Sequence, residues 1–333
     1  MDEKPRPLWD EMLDEFRVLG GTADNVCLGE GKFGRGLFPI DPSKPIKVHI
    51  PESLLVAREH VEFVNDAFRI KPEAPIGARE KSFLENYERD FSWSVSRRYT
   101  HDLLQMMDET PAELREHLSK FCKRWMAGPT PEAVQERFLS SRVVRYKGQS
   151  VIMPIVELAN HGDATEYVHK NGVGLSGQFA DEISVRYCLS DPWRIFANWG
   201  FPSASETFAL SMGMNNPQIA IGEDDVSDSD MDPAKPFFPK VSREGTQLRL
   251  SYLMLGNRRW PRLPRGIFHR IMKDAGRLKA DEIFDIILHR NRTEFYKLLE
   301  ATEMAAPPLG RLLRTVITQQ LKAMSHSIGS RPV

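Results

Sequence analysis

Cysteine is scarce: Cys27, Cys122 and Cys188 are the only three in 333 residues. Scattered and odd in number, they argue against a disulfide framework and against a cysteine-ligated zinc cluster. An excess of one charge is also lacking. The net charge of −1 provides no global drive toward nucleic acid or an anionic membrane. No apolar run is long enough to span a bilayer, and residues 1–7 hold no apolar leader core. The nine histidines show no metal-ligand spacing. The expectation is a reduced, cytoplasmic protein with no structural metal, no nucleic-acid partner and no membrane partner. These features do not encode an oligomeric state.

With 41% hydrophobic and 27% charged residues, the chain has an ordinary globular make-up. Its length suggests two domains, or one with a large insertion. Leu8, Trp9, Met12, Leu13 and Phe16 form an amphipathic stretch at helical spacing. Short strand-like runs at 25–28, 29–38 and 46–50 follow, with glycine turns and a stop at Pro51. From 54 to 142 helix signals dominate. Thr110-Pro111 and Thr130-Pro131 each place a threonine cap before a proline at the first helical position. Strand character returns at 151–153, 183–185, 207–210 and 248–252. Beyond Trp260, apolar faces recur at helical period around Phe284 and Ile287, Phe295 and Leu298, and Leu313, Val316 and Ile317. The order strand, helix, strand, helix reads as α+β. It divides at 1–60, 61–142, 143–255 and 256–333: two strand-rich portions, a helical insertion between them, and a helical C-terminal domain.

Four short segments carry a more specific signal. Gly31-Lys32-Phe33-Gly34-Arg35-Gly36 is a glycine cluster with no strand–helix unit after it, so it is not a dinucleotide fingerprint. Ser141-Arg142 closes a helical stretch. Ile152-Met153-Pro154-Ile155-Val156-Glu157-Leu158-Ala159-Asn160-His161 delivers an Asn-His pair after an apolar run and a proline. A further strand-like run delivers Tyr187, ahead of Trp199-Gly200-Phe201. Any one of these occurs by chance; their weight lies in their order. In that order they resemble the SET-domain methyltransferases. The branch they are most similar to is that of Rubisco large-subunit lysine methyltransferase and the actin-histidine methyltransferase.

The resemblance implies a SET-type β fold split by a helical insertion, with a helical C-terminal domain for substrate recognition. It implies a methyltransferase that uses S-adenosyl-L-methionine on a protein substrate, with lysine as the acceptor. By the same resemblance Lys32, Phe33 and Gly34 line the cofactor site, and Arg142 reaches the cofactor carboxylate with a guanidinium fork suited to it. Asn160 binds the amino group, His161 receives the adenine through its backbone, and Tyr187 is the catalytic residue. Methyl transfer to an amine is an in-line displacement, so alignment and exclusion of water carry most of the catalysis. A phenol that hydrogen-bonds the acceptor nitrogen supplies alignment.

The chain also departs from the family pattern. Val144 replaces a phenylalanine, Glu157 an aspartate, Cys188 a glycine, and Pro192 an asparagine. These departures motivate an alternative, a catalytically degenerate SET domain serving as a protein-binding module. Asp191-Pro192 still makes a sound helix start. Two further runs stand outside the motif set. Residues 223–232 form an acidic loop without the positions a calcium loop needs. Arg258, Arg259, Arg262, Arg265, Arg270 and Lys273 form a basic run suited to an acidic surface.

Overall fold

The computed structural model describes residues 6–31, 34–162, 164–187, 190–203, 207–222, 237–277 and 279–327. Lys32, Phe33 and Cys188 lie outside them, as do the acidic loop and the end of the C-terminal tail. The chain forms two compact units. Met1–Gln105 and Ala127–Tyr187 make the first; Met106–Met126 and Cys188–Val333 make the second.

In the first unit, α1 (Arg6–Val18) buries Trp9, Met12, Leu13 and Phe16 of the apolar face expected from its spacing, while Leu8 stays exposed. Strands β1 (Thr22–Asp24), β4 (Ile46–Pro51) and β11 (Gly172–Gly177) form an antiparallel sheet with β4 central. β2 (Val26–Gly31) and β3 (Gly34–Pro39) form a hairpin in which Gly31 faces Gly34. β5 (Val56–Ala57), β8 (Val143–Tyr146) and β9 (Gln149–Ile152) form a third small sheet.

Helix does not begin at 54. β6 (Val61–Val64) and β7 (Ala67–Ile70) pair as a hairpin across Asn65 and Asp66, whose φ values are 49° and 62°. Positive φ at both central residues matches the right-handed strand twist, and Asn and Asp tolerate it best after glycine. That turn signal outranks the weak helical pattern around it. Helices begin at α2 (Ala78–Phe91) and continue with α3 (Trp93–Asp108). In α2, Phe83, Tyr87 and Phe91 recur every fourth residue and stack as a ladder, with centroids 6.4 and 6.3 Å apart. Phe16 and Trp9 of α1 close on this ladder at 5.9 and 5.2 Å. α5 (Pro131–Arg142) starts as expected: the Thr130 hydroxyl accepts the Ala133 N–H at 3.2 Å.

The second unit holds α4 (Ala112–Phe121), α6 (Pro192–Trp199), α7 (Leu263–Asp274), α8 (Ala280–Ala301) and α9 (Pro307–Ser325). Thr110 does not cap α4. Its hydroxyl donates to the Met107 carbonyl at 2.8 Å, and Pro111 occupies the cap position without a side-chain bond. Asp191 does cap α6, accepting from Arg194 N–H at 2.9 Å, and Gly200 closes that helix at φ 81°. The expected faces of α8 and α9 are buried, including Phe284, Ile287, Phe295, Leu298, Leu313, Val316 and Ile317. Two members of the basic run form ion pairs: Arg265 with Asp285, and Arg270 with Asp274 at 3.0 Å. Trp193 packs on Phe295 at 5.4 Å in the core of this unit. A cleft of about 460 Å³ beside its four-stranded sheet is lined by Met214, Ile221, Leu250, Arg249 and Arg290 among others, and by none of the expected site residues.

Candidate functional site

Every expected site residue among the described ones falls in the first unit. Two short strands bring the motifs together. β10 (Asn160–His161) pairs in parallel with β12 (Ser184–Val185), with Asn160 opposite Ser184 and His161 opposite Val185. The Gly162 N–H donates to the Val185 carbonyl at 3.1 Å, and Arg186 N–H to the Thr165 carbonyl at 2.8 Å. Ile183 N–H donates to the Leu37 carbonyl at 2.8 Å, which ties the segment to β3 as well. Segments more than twenty residues apart thus become neighbours through backbone bonds that do not depend on side-chain identity.

Tyr187 sits at the end of this pairing. Its N–H donates to His161 Nδ1 at 3.4 Å, so the neutral ring carries its hydrogen on Nε2. The Tyr187 hydroxyl donates to the Ala159 carbonyl at 2.8 Å, and the two rings lie 5.2 Å apart. Withdrawal of the phenol from water pushes its pKa above the ordinary tyrosine value; Arg142 opposes this shift, and Glu157 and Glu182 add to it. Three charged side chains therefore act on one phenol.

Arg142 is the last residue of α5. Its Nη1 donates to Glu157 Oε2 at 2.9 Å and to the Glu157 carbonyl at 3.4 Å, and Nη2 donates to Ser96 Oγ at 2.7 Å. The Tyr87 hydroxyl donates to the other oxygen of Glu157 at 2.7 Å. Burial works against the Arg142 charge, but Glu157, with Tyr187 and Tyr87, more than reverses this and holds its pKa above the ordinary arginine value. A guanidinium has five N–H donors. The bonds described leave Nε–H and one Nη2–H without a partner among the described residues.

Glu157 is aimed by an unusual backbone. Ile155 has φ 66° and ψ −58°, and Val156 N–H donates to the Pro154 carbonyl at 2.7 Å. This is the rare, strained form of the γ-turn, here in a β-branched residue. Beside Glu157 lies Glu88, fully buried, with the Ser92 hydroxyl and the Trp93 backbone N–H as its polar neighbours. Burial pushes its pKa well above the carboxylate range, and the Glu157 charge pushes it further.

Asn160 faces the glycine hairpin. Its Nδ2 donates to the Arg35 carbonyl at 3.3 Å and to Glu182 Oε1. Gly34, at φ 89°, is the one expected cofactor residue of the hairpin that is described, and Lys32 and Phe33 lie outside the described residues. Tyr87, Glu88, Ser96 and Glu182 were not expected in this cluster. The every-fourth-residue aromatics of α2 signalled the helix that carries Tyr87. For Glu182 nothing in the local pattern did.

Among the described residues no group of three or more His, Cys, Asp or Glu side chains could hold a metal ion, and no helix is long and apolar enough to cross a membrane. No family model matches the chain, and no curated protein matches it. Solved structures do. The SET domain of LSMT bound to lysine and AdoHcy is 13% identical, with a TM-score of 0.43 over 98% of this chain and 91% of that one. Rubisco LSMT bound to AdoMet is 14% identical, with a TM-score of 0.45 over 96% and 90%. Rubisco LSMT bound to sinefungin and monomethyllysine is 13% identical, with a TM-score of 0.37 over 98% and 90%. Likeness at this level leaves the assignment of function to the chain's own residues.

Proposed function

We propose that the chain is an S-adenosyl-L-methionine-dependent methyltransferase acting on a protein side chain, with lysine as the acceptor. One observation carries the reading: the β10–β12 pairing brings Asn160-His161 against Tyr187, while Arg142, Glu157 and Glu182 all act on the Tyr187 phenol. The similar solved structures are described as bound to AdoMet, AdoHcy or sinefungin, and two of them also to lysine or monomethyllysine. The resembled branch holds both lysine and histidine methyltransferases, and lysine is the acceptor we propose.

The residues present fit the cofactor. Arg142 has N–H donors left for a carboxylate and keeps part of its side chain in water. Gly31 and Gly36 keep the β2–β3 hairpin bare beside Asn160 and Glu182. When bound, S-adenosylmethionine supplies a methyl group activated on a sulfonium. Arg142 binds and orients the carboxylate end, and Asn160 the ammonium end. Tyr187 stays protonated at neutral pH, as an ordinary phenol does, and its raised pKa keeps it further from ionising, so it is no general base. It serves instead as a fixed neutral hydrogen-bonding group that directs the acceptor amine.

Calorimetric titration with S-adenosylmethionine tests the reading. Arg142→Ala and Asn160→Ala should each weaken binding by roughly tenfold to a hundredfold, the scale of a lost charge-assisted contact. Unchanged affinity in both folded variants would sink the assignment. The second reading, a degenerate domain that binds protein without transfer, draws support from the engagement of Arg142 by Glu157 and Ser96. Cofactor binding without methyl transfer to any protein of a whole-cell extract would favour it.

A further inference from the structure

Both hydrogens of the Asn160 amide point at acceptors. Nδ2 donates to the Arg35 carbonyl at 3.3 Å and to Oε1 of Glu182. A backbone carbonyl and a carboxylate only accept. Turning the amide over would set Oδ1 against two acceptor oxygens and lose two hydrogen bonds, one of them charge-assisted. The orientation is therefore locked. Oδ1 is left facing away from Glu182, with no donor to it among the described residues.

Space for this lock is cut from the β2–β3 hairpin. A Cβ on Gly36 would stand 2.6 Å from Glu182 Oε1 and 2.8 Å from Asn160 Nδ2. One on Gly31 would stand 2.6 Å from Glu182 Oε2 and 2.9 Å from the Phe38 ring. Neither glycine has positive φ. These two positions are bare to admit the carboxylate and the amide, rather than to make a turn.

We infer that Glu182 is a positioning residue: it locks the Asn160 amide so that Oδ1 accepts from a primary ammonium group. Resting on the proposed function, that ammonium is the one at the amino-acid end of S-adenosylmethionine. Glu182 thereby acts through Asn160 and need not touch the ligand. A glutamine at 182 could offer its own NH2 to Asn160, which would let the amide turn and present the wrong end.

The test compares two ligands on the full chain by calorimetry: S-adenosylhomocysteine, which has the amino-acid end, and 5′-methylthioadenosine, which lacks it. Glu182→Gln should lower the ratio of the two affinities by about tenfold, the scale of one hydrogen bond to a charged group, while 5′-methylthioadenosine binds as before. Glu182→Asp keeps an acceptor-only carboxylate on a shorter reach and should retain more of the ratio than Glu182→Gln. Parallel weakening of both ligands, an unchanged ratio, or a greater loss in the aspartate variant would each overturn the inference. A wild-type chain that binds neither ligand overturns the cofactor reading and the inference with it. If it binds both and Glu182→Gln leaves the ratio unaltered, only the inference falls.

Discussion

Arg142 and Glu157 form an ion pair at 2.9 Å in which the carboxylate is almost wholly buried and about a quarter of the arginine side chain remains exposed. Tyr87 donates to the other oxygen of that carboxylate. The helical segment from 78 to 142 thus supplies Tyr87, Ser96 and Arg142 to one cluster around a residue of the motif segment. This helical segment is thus part of the candidate site as well as part of the fold.

Removing one partner of that pair leaves the other buried and uncompensated. Arg142→Ala should cost at or below the roughly 3–5 kcal/mol typical of such breaks, the exposed quarter of the arginine reducing it. Arg142→Met with Glu157→Leu should recover much of the loss, because no charge is then stranded. Urea denaturation of the single and double variants measures both. A double variant as unstable as Arg142→Ala alone would mean that the pair does not account for the cost.

Tyr187→Phe removes a hydroxyl and almost no volume. The bond to the Ala159 carbonyl is lost, costing about 1 kcal/mol, so the fold and cofactor affinity should persist. Turnover should fall by about ten- to a thousandfold, the scale of one positioned polar group. Single-turnover kinetics places the loss in the chemical step. A wild-type rate in the variant would assign Tyr187 to packing.

Glu88 gives stability a pH slope. Below the ordinary carboxylate range, folded and unfolded chains both hold its proton. Between about 4.3 in the unfolded chain and its raised native value, the folded state holds one proton more, so stability falls as pH rises. Glu88→Met removes that proton difference together with the buried carboxyl group. The variant should gain on wild type progressively as pH rises above the ordinary carboxylate range. Parallel stability curves would show that Glu88 does not titrate differently in the two states.

Two helix caps that look alike in sequence should differ several-fold in worth. Thr130 holds one N–H at the start of α5, and Thr130→Ala should cost about 1 kcal/mol. Asp191 caps α6 and also accepts from Leu210 N–H at 2.8 Å and from Gln320 Nε2 at 2.7 Å, fully buried. Asp191→Ala should cost about 3–5 kcal/mol, the scale for stranding a buried polar network. Equal melting shifts in the two variants would contradict the network.

The sequence by itself determined what is local. Apolar spacing located α1, α8 and α9, because a face that must leave water repeats at the helical period. Thr130-Pro131 and Asp191-Pro192 marked two helix starts, because capping and the fixed φ of proline need only neighbouring residues. The Asn65-Asp66 turn was equally local, but a broad helical reading from 54 onward hid it. The motif order also placed Asn160, His161 and Tyr187 together as candidates before any contact was known. Other features were decided only by the tertiary structure. The parallel bridge of β10 and β12 is made by backbone groups, which leave no trace in side-chain pattern. Glu88, Glu157 and Arg142 share one buried cluster although they lie far apart along the chain, and Glu182 meets Asn160 across the bare face of Gly36. Long-range electrostatics and close packing depend on which segments meet, and that is set by the whole fold.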